Sequence, residues 1–139
     1  MVKFRYAAIM TVLLAVVCCV PAGAYTPAIS YTSAIICDYD EHTGSLGFWF
    51  ATFSDIEVGS LGYYDYLLDG LANSHTVGIF DVSGNLLVSG VVAAGTAAPL
   101  TDQYRYVSVD PVVLSAGYSY MLAATYAGNS DPYSYILEG

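Results

Sequence analysis

The chain is 139 residues long, with 12 Asp and Glu against three Lys and Arg, and carries a formal net charge of −9 at pH 7. A surface that negative repels phosphate backbones and anionic lipid, so nucleic acid and peripheral membrane binding are excluded as functions. Hydrophobic residues make up 56% of the sequence, enough to build one core of ordinary domain size.

The first predicted element is a leader. Lys3 and Arg5 form a positive start, Ala7–Val20 runs 14 residues without a charge, and Pro21 then breaks the helix. Ala22-Gly23-Ala24 supplies the small residues that a signal peptidase needs, which predicts cleavage after Ala24. An uncleaved anchor would need roughly 20 apolar residues, and this run is too short. Lipidation at Cys18 or Cys19 is disfavoured, because neither Val17 nor Cys18 offers the small preceding residue that a lipoprotein peptidase accommodates. The chain thus divides into a signal-peptide helix, residues 1–24, and a single domain, residues 25–139. The expected destination is secreted, extracellular or cell-surface, reached by periplasmic transit, with no stable membrane span after processing.

Processing changes the bulk properties. Lys3 and Arg5 leave with the leader, so Arg105 faces all 12 acidic residues alone among strong cations. Cys37 becomes the sole cysteine, no intramolecular disulfide can form, and stability must come from the core. Cys37 ends the apolar run Ala34-Ile35-Ile36-Cys37 and reads as a small buried hydrophobe.

Short strand-like runs separated by turn residues fill the rest. They are Ala28–Ile36, the aromatic-rich Leu46–Phe53, and Ile56–Tyr64, which alternates Ile56, Val58 and Ser60 against Glu57, Gly59 and Leu61. Thr76–Phe80 and Asn85–Ala93 flank a Ser83-Gly84 turn and predict a tight hairpin. Tyr104–Val109, Tyr118–Tyr126 and a last strand at Tyr133–Leu137 complete the set. No segment repeats apolar residues at helical spacing over a useful length. Val82–Thr101 carries no charge over 20 residues, but its Ser, Gly, Asn and Pro content suits a hairpin and loop, not a membrane helix. The expected fold is all-β, an antiparallel β-sandwich of jelly-roll or immunoglobulin-like connectivity, with an open barrel as the alternative.

From Leu61 to Tyr126 the sequence contains Asp69-Gly70-Leu71, Ser74-His75, Val77-Gly78-Ile79, Asp81, Gly84, Gly95-Thr96, Arg105-Tyr106-Val107, Pro111, Leu114, Ala116-Gly117 and Tyr120 in order. As a set these resemble a β-sandwich domain of secreted bacterial proteins of the PEP-CTERM (exosortase-sorted) class. The resemblance covers a little over half of the predicted domain. It implies an extracellular or cell-surface sandwich of a kind whose molecular activity is generally unassigned. The sorting tail of that class, a Pro-Glu-Pro motif followed by an apolar helix and a basic cluster, does not occur in the sequence.

Several residue groups are candidates for chemistry. Asp65, Asp69 and Asn73 lie around a Gly-kinked loop and offer hard oxygen ligands, which makes Ca²⁺, with about six to eight oxygens, a candidate ion. The same residue types also do ordinary turn work. His75 beside them is a softer ligand. Asp38, Asp40, Glu41 and His42 form a second polar group that either joins that ion or is a solvated loop. Alternation places Phe48 and Phe50 on one face, toward the core, and Trp49 on the other. Trp49, with Tyr63 and Tyr64, is then either packing between sheets or a platform on which sugar rings stack. Arg105, on the face of Val107 and Val109, is expected to pair with a carboxylate; anion binding is the alternative.

Catalytic signatures are weak. The sequence has no G-x-S-x-G, H-E-x-x-H or C-x-x-C pattern, and its two His stand far apart. The expectation is a non-enzymatic, structural or adhesive component of the envelope or extracellular matrix. A carbohydrate-binding module, stabilised or not by calcium, is the alternative. Either would take extracellular polysaccharide or other surface proteins as partners.

Overall fold

A computed structural model describes residues 26–28, 36–38, 43–128 and 130–135, with only the backbone described at 36–38 and 133–135. The predicted leader, nearly all of the predicted strand Ala28–Ile36, the side chains of Cys37 and Asp38, and Asp40, Glu41 and His42 lie outside that description. The chain divides into two units, Met1–Ser30 and Tyr31–Gly139, and every strand belongs to the second.

The described residues form nine strands: β1 (Ile36–Asp38), β2 (Thr43–Ala51), β3 (Ile56–Tyr64), β4 (His75–Asp81), β5 (Leu86–Val92), β6 (Leu100–Thr101), β7 (Tyr104–Leu114), β8 (Ser119–Ala127) and β9 (Tyr133–Tyr135). Among the described residues there is no helix. All pairings are antiparallel. One sheet runs β2-β8-β4-β5, a second β3-β7-β6, and β1 pairs with β9. The first pairings are nested: β1 with β9, β2 with β8, β3 with β7. The architecture is therefore all-β, antiparallel and sandwich-like.

The core lies between the four-stranded and three-stranded sheets. Leu61 and Tyr63 (β3), Leu71 in the loop before β4, Val77 and Ile79 (β4), Val92 (β5), Leu114 (β7) and Tyr120 (β8) are buried in one cluster. Phe50, Val88, Val107, Leu122 and Ala124 pack against it. Period-two alternation explains most of these positions.

It fails instructively in β3. The predicted alternation sets Leu61 opposite Ile56 and Val58, yet all three face the core. The register slips between Val58 and Ser60, where Gly59 alone stands opposite three residues of β7, Val109, Asp110 and Pro111, and the phase of β3 flips across this irregularity. The partner strand absorbs the same irregularity: β7 continues past Val109, through Pro111, to the buried Leu114. Proline has no N–H to donate, so it sits where the ladder is already broken. The Ser83-Gly84 hairpin forms as expected. Asp81 Oδ1 accepts from the Ser83 and Asn85 amides, at 2.8 and 2.9 Å, and Gly84 takes φ of 83°.

Candidate functional site

The region after β3 is organised by Arg105. Its Nε donates to Asp65 Oδ2 at 2.6 Å, and both side chains are nearly inaccessible. Nη1 donates to the carbonyls of Thr96 and Ala98, each at 3.0 Å, and Nη2 to that of Leu68 at 3.3 Å. One planar guanidinium therefore ties the 65–71 loop to the 95–99 loop. Asp65 Oδ2 also accepts from the Gly70 amide at 3.1 Å. Gly70, at φ 108°, is required here, since a Cβ would lie 2.8 Å from the Gly95 carbonyl carbon.

This arrangement decides how the candidate calcium residues stand. Asp65 is committed to Arg105 and Gly70. Asp69 is exposed, and Asn73 donates from Nδ2 to Ser130 Oγ at 2.5 Å. Among the described residues no three His, Cys, Asp or Glu side chains form a metal-ligating group. The Arg105 guanidinium orders this loop through Asp65 and the Leu68 carbonyl.

A second buried centre surrounds His75, which is fully inaccessible. Its Nδ1 lies 2.8 Å from the Thr125 carbonyl and its Nε2 2.8 Å from Asp131 Oδ2. A carbonyl only accepts, so Nδ1 carries a proton. The second contact holds a further proton between imidazole and carboxylate. Asp131 also accepts from the Ala72 and Asn73 amides at 2.8 and 2.9 Å. The Tyr63 ring stacks on the imidazole at 3.7 Å between centroids, 6° from parallel. Burial, and then the charge of Asp131, push the Tyr63 hydroxyl well above the ordinary tyrosine range. Both ring nitrogens of His75 are used, so the centre is a clamp on the chain around Asp131, not a base awaiting substrate. A cleft of about 250 Å³ opens beside both centres; of the three carboxylates lining it, Asp65 and Asp131 are already held by protein donors, and Asp69 is exposed.

The predicted aromatic platform separates into two environments. Tyr63 is spent on His75, and Tyr64 is buried edge-on against Tyr104, with centroids 5.5 Å apart. Neither presents a face to a ligand. Trp49 does: it is 58% exposed. Phe50 turns inward against Tyr120, at 5.9 Å, whereas Phe48 remains 41% exposed and does not join the core as expected.

Trp49 stands on the outer face of the four-stranded sheet, and the register orders that face into ranks. Trp49, Met121, Phe80 and Leu86 follow one another across the strands as an apolar ridge. The next rank is Gly47, Ala123, Gly78 and Ser89, a low trough of small residues. Beyond it Ser45, Thr125 and Thr76 present hydroxyls, with the Thr76 amide bonded to Thr125 Oγ1 at 2.9 Å. No residue in these ranks is charged, in a chain with 12 acids. Sequence alternation placed Trp49 opposite the Phe pair. The small-residue trough depends on cross-strand register and was not readable.

Comparison with known proteins returns no match among family models, curated proteins or solved structures.

Proposed function

We propose that this chain is an exported, non-catalytic β-sandwich that acts as an adhesive component of the cell envelope or extracellular matrix, holding neutral polysaccharide on the outer face of its four-stranded sheet. The observation that carries the reading is Trp49, more than half exposed on a face without charge in a strongly acidic chain. An indole face packs against the C–H side of a sugar ring and keeps its N–H for a polar partner. The trough beside it admits a chain lying flat, and the hydroxyl rank supplies donors and acceptors. A polyanion would meet the repulsion of the acidic surface, and a polycation would find no counter-charge on this face.

Other features support the setting. The leader favours export, and the resemblance to PEP-CTERM-class domains favours the cell surface. Nested pairing of first with last strands is the pattern expected of jelly-roll connectivity, which we favour over the immunoglobulin-like alternative.

Retention on a panel of insoluble neutral polysaccharides tests the reading. The wild type should be retained in high salt, and Trp49→Ala should lose retention while keeping its melting temperature. Absence of retention on every polymer, or equal retention of both proteins, overturns it. N-terminal sequencing of protein recovered after export should begin at Tyr25.

A further inference from the structure

We infer that two copies of this chain associate by antiparallel pairing of their β5 strands, joining two four-stranded sheets into one continuous sheet. Among the described residues β5 is an edge of its sheet and pairs with β4 alone. Its far side therefore presents backbone N–H and C=O groups that no described strand pairs with. Exposed edges are normally blunted by lysine, proline, inward charge or a bulge that twists the strand away. Leu86-Leu87-Val88-Ser89-Gly90-Val91-Val92 has no charge and no proline. Its one register shift sits at the Leu86 end and leaves Val88–Val92 regular against β4.

Charge selects a second copy of this chain as the occupant. Two molecules of net charge −9 repel wherever their acids approach. Residues 82–101 carry none, so β5 is a seam where two such molecules can meet. Asp81, the acid nearest to β5 in sequence, is closed into its own turn by Asn85, whose Nδ2 donates to Oδ2 at 2.7 Å. The strand is also self-complementary. A two-fold axis at Gly90 sets Val88 opposite Val92 and Ser89 opposite Val91, so β-branched side chains meet across the seam on the inner face. A contact of this kind uses the same patch twice and closes as a dimer. It does not depend on the polysaccharide reading, which uses the sheet's face and not its edge.

Sedimentation velocity on the processed chain tests it. The wild type should show a monomer–dimer equilibrium in which the dimer gains with NaCl, because salt screens the repulsion between copies. Val91→Lys, at a position 56% exposed, should weaken the dimer by at least about tenfold without lowering the melting temperature. Val113→Lys, equally exposed on β7, should leave it intact. Amide exchange at Val88–Val92 should slow as protein concentration rises. A monomer at all concentrations, a dimer indifferent to Val91→Lys, or a dimer whose β5 amides exchange at the monomer's rate overturns the inference. So does β5 protection that appears only with an added strand-forming peptide. Trp49→Ala should lose polysaccharide retention yet dimerise normally, so the two proposals fail separately.

Discussion

Arg105 replaces what several weaker contacts would otherwise have to do. Its guanidinium satisfies three carbonyls on two loops as well as the Asp65 carboxylate. Removing one partner of such a pair leaves an uncompensated buried charge, which costs about 3–5 kcal/mol. Arg105→Met and Asp65→Leu should each lower unfolding free energy in urea by that order. The double variant should cost less than their sum. Arg105→Lys should not rescue, because a single ammonium cannot reach three carbonyls in one plane. Tyr63 makes a complementary prediction at alkaline pH. Its hydroxyl is held above the ordinary value of 10.0 in the folded state, chiefly by burial. The neutral phenol is thus fully compatible with the fold below that value. As pH climbs past it, the unfolded chain releases a proton that the folded chain retains, and stability falls. Phenolate absorbance from Tyr63 should appear only as the protein unfolds. Tyr63→Phe, which keeps the stacked ring, should shift the alkaline unfolding midpoint upward.

Strands were largely legible because alternation and turn residues act locally. β3 spans the very residues, Ile56–Tyr64, whose pattern predicts it, and β4, β5 and β8 differ from expectation by a residue or so at their ends. The misses have physical causes. β6 is two residues long, too short to leave a periodic trace, and β7 outruns its prediction because Pro111 lies at a break in the ladder. Side-chain partners were legible only in kind. Arg105 had to find a carboxylate, but nothing in the sequence selects Asp65, and nothing links His75 to Asp131 across 56 positions. The close approach of β2 to β8 is a further feature that register alone reveals. A Cβ on Gly47 would strike the Leu122 carbonyl oxygen and lie 2.9 Å from Ala123 Cα, whereas one on Gly44 meets nothing within 4 Å. Gly47→Ala should therefore destabilise by about 1–3 kcal/mol, and Gly44→Ala should stay within about 0.5 kcal/mol of wild type in the same denaturation assay.

Nested pairing gives the whole molecule a direction. The β4–β5 hairpin closes over four residues, 82–85, whereas β2 must find β8, and β1 must find β9, across most of the domain. Contacts of such separation form late, and the outermost, least anchored ones open first. The outermost pair, β1 and β9, spans only three residues on each side. What holds it lies next to β9. Asp131, two residues before Tyr133, accepts from the Ala72 and Asn73 amides and from His75, and so fastens the approach to β9 onto the entry to β4. Asp131→Ala should release this fastening and leave the buried His75 with one ring nitrogen unsatisfied. Amides of Ile36–Asp38 and Tyr133–Tyr135 should then exchange much faster, while those of β4 and β8 keep protection close to that of the wild type, reduced only by the loss in global stability. Uniform loss of protection across all nine strands would mean that the outer pair and the sandwich open as one unit, and that the His75–Asp131 clamp belongs to the core itself.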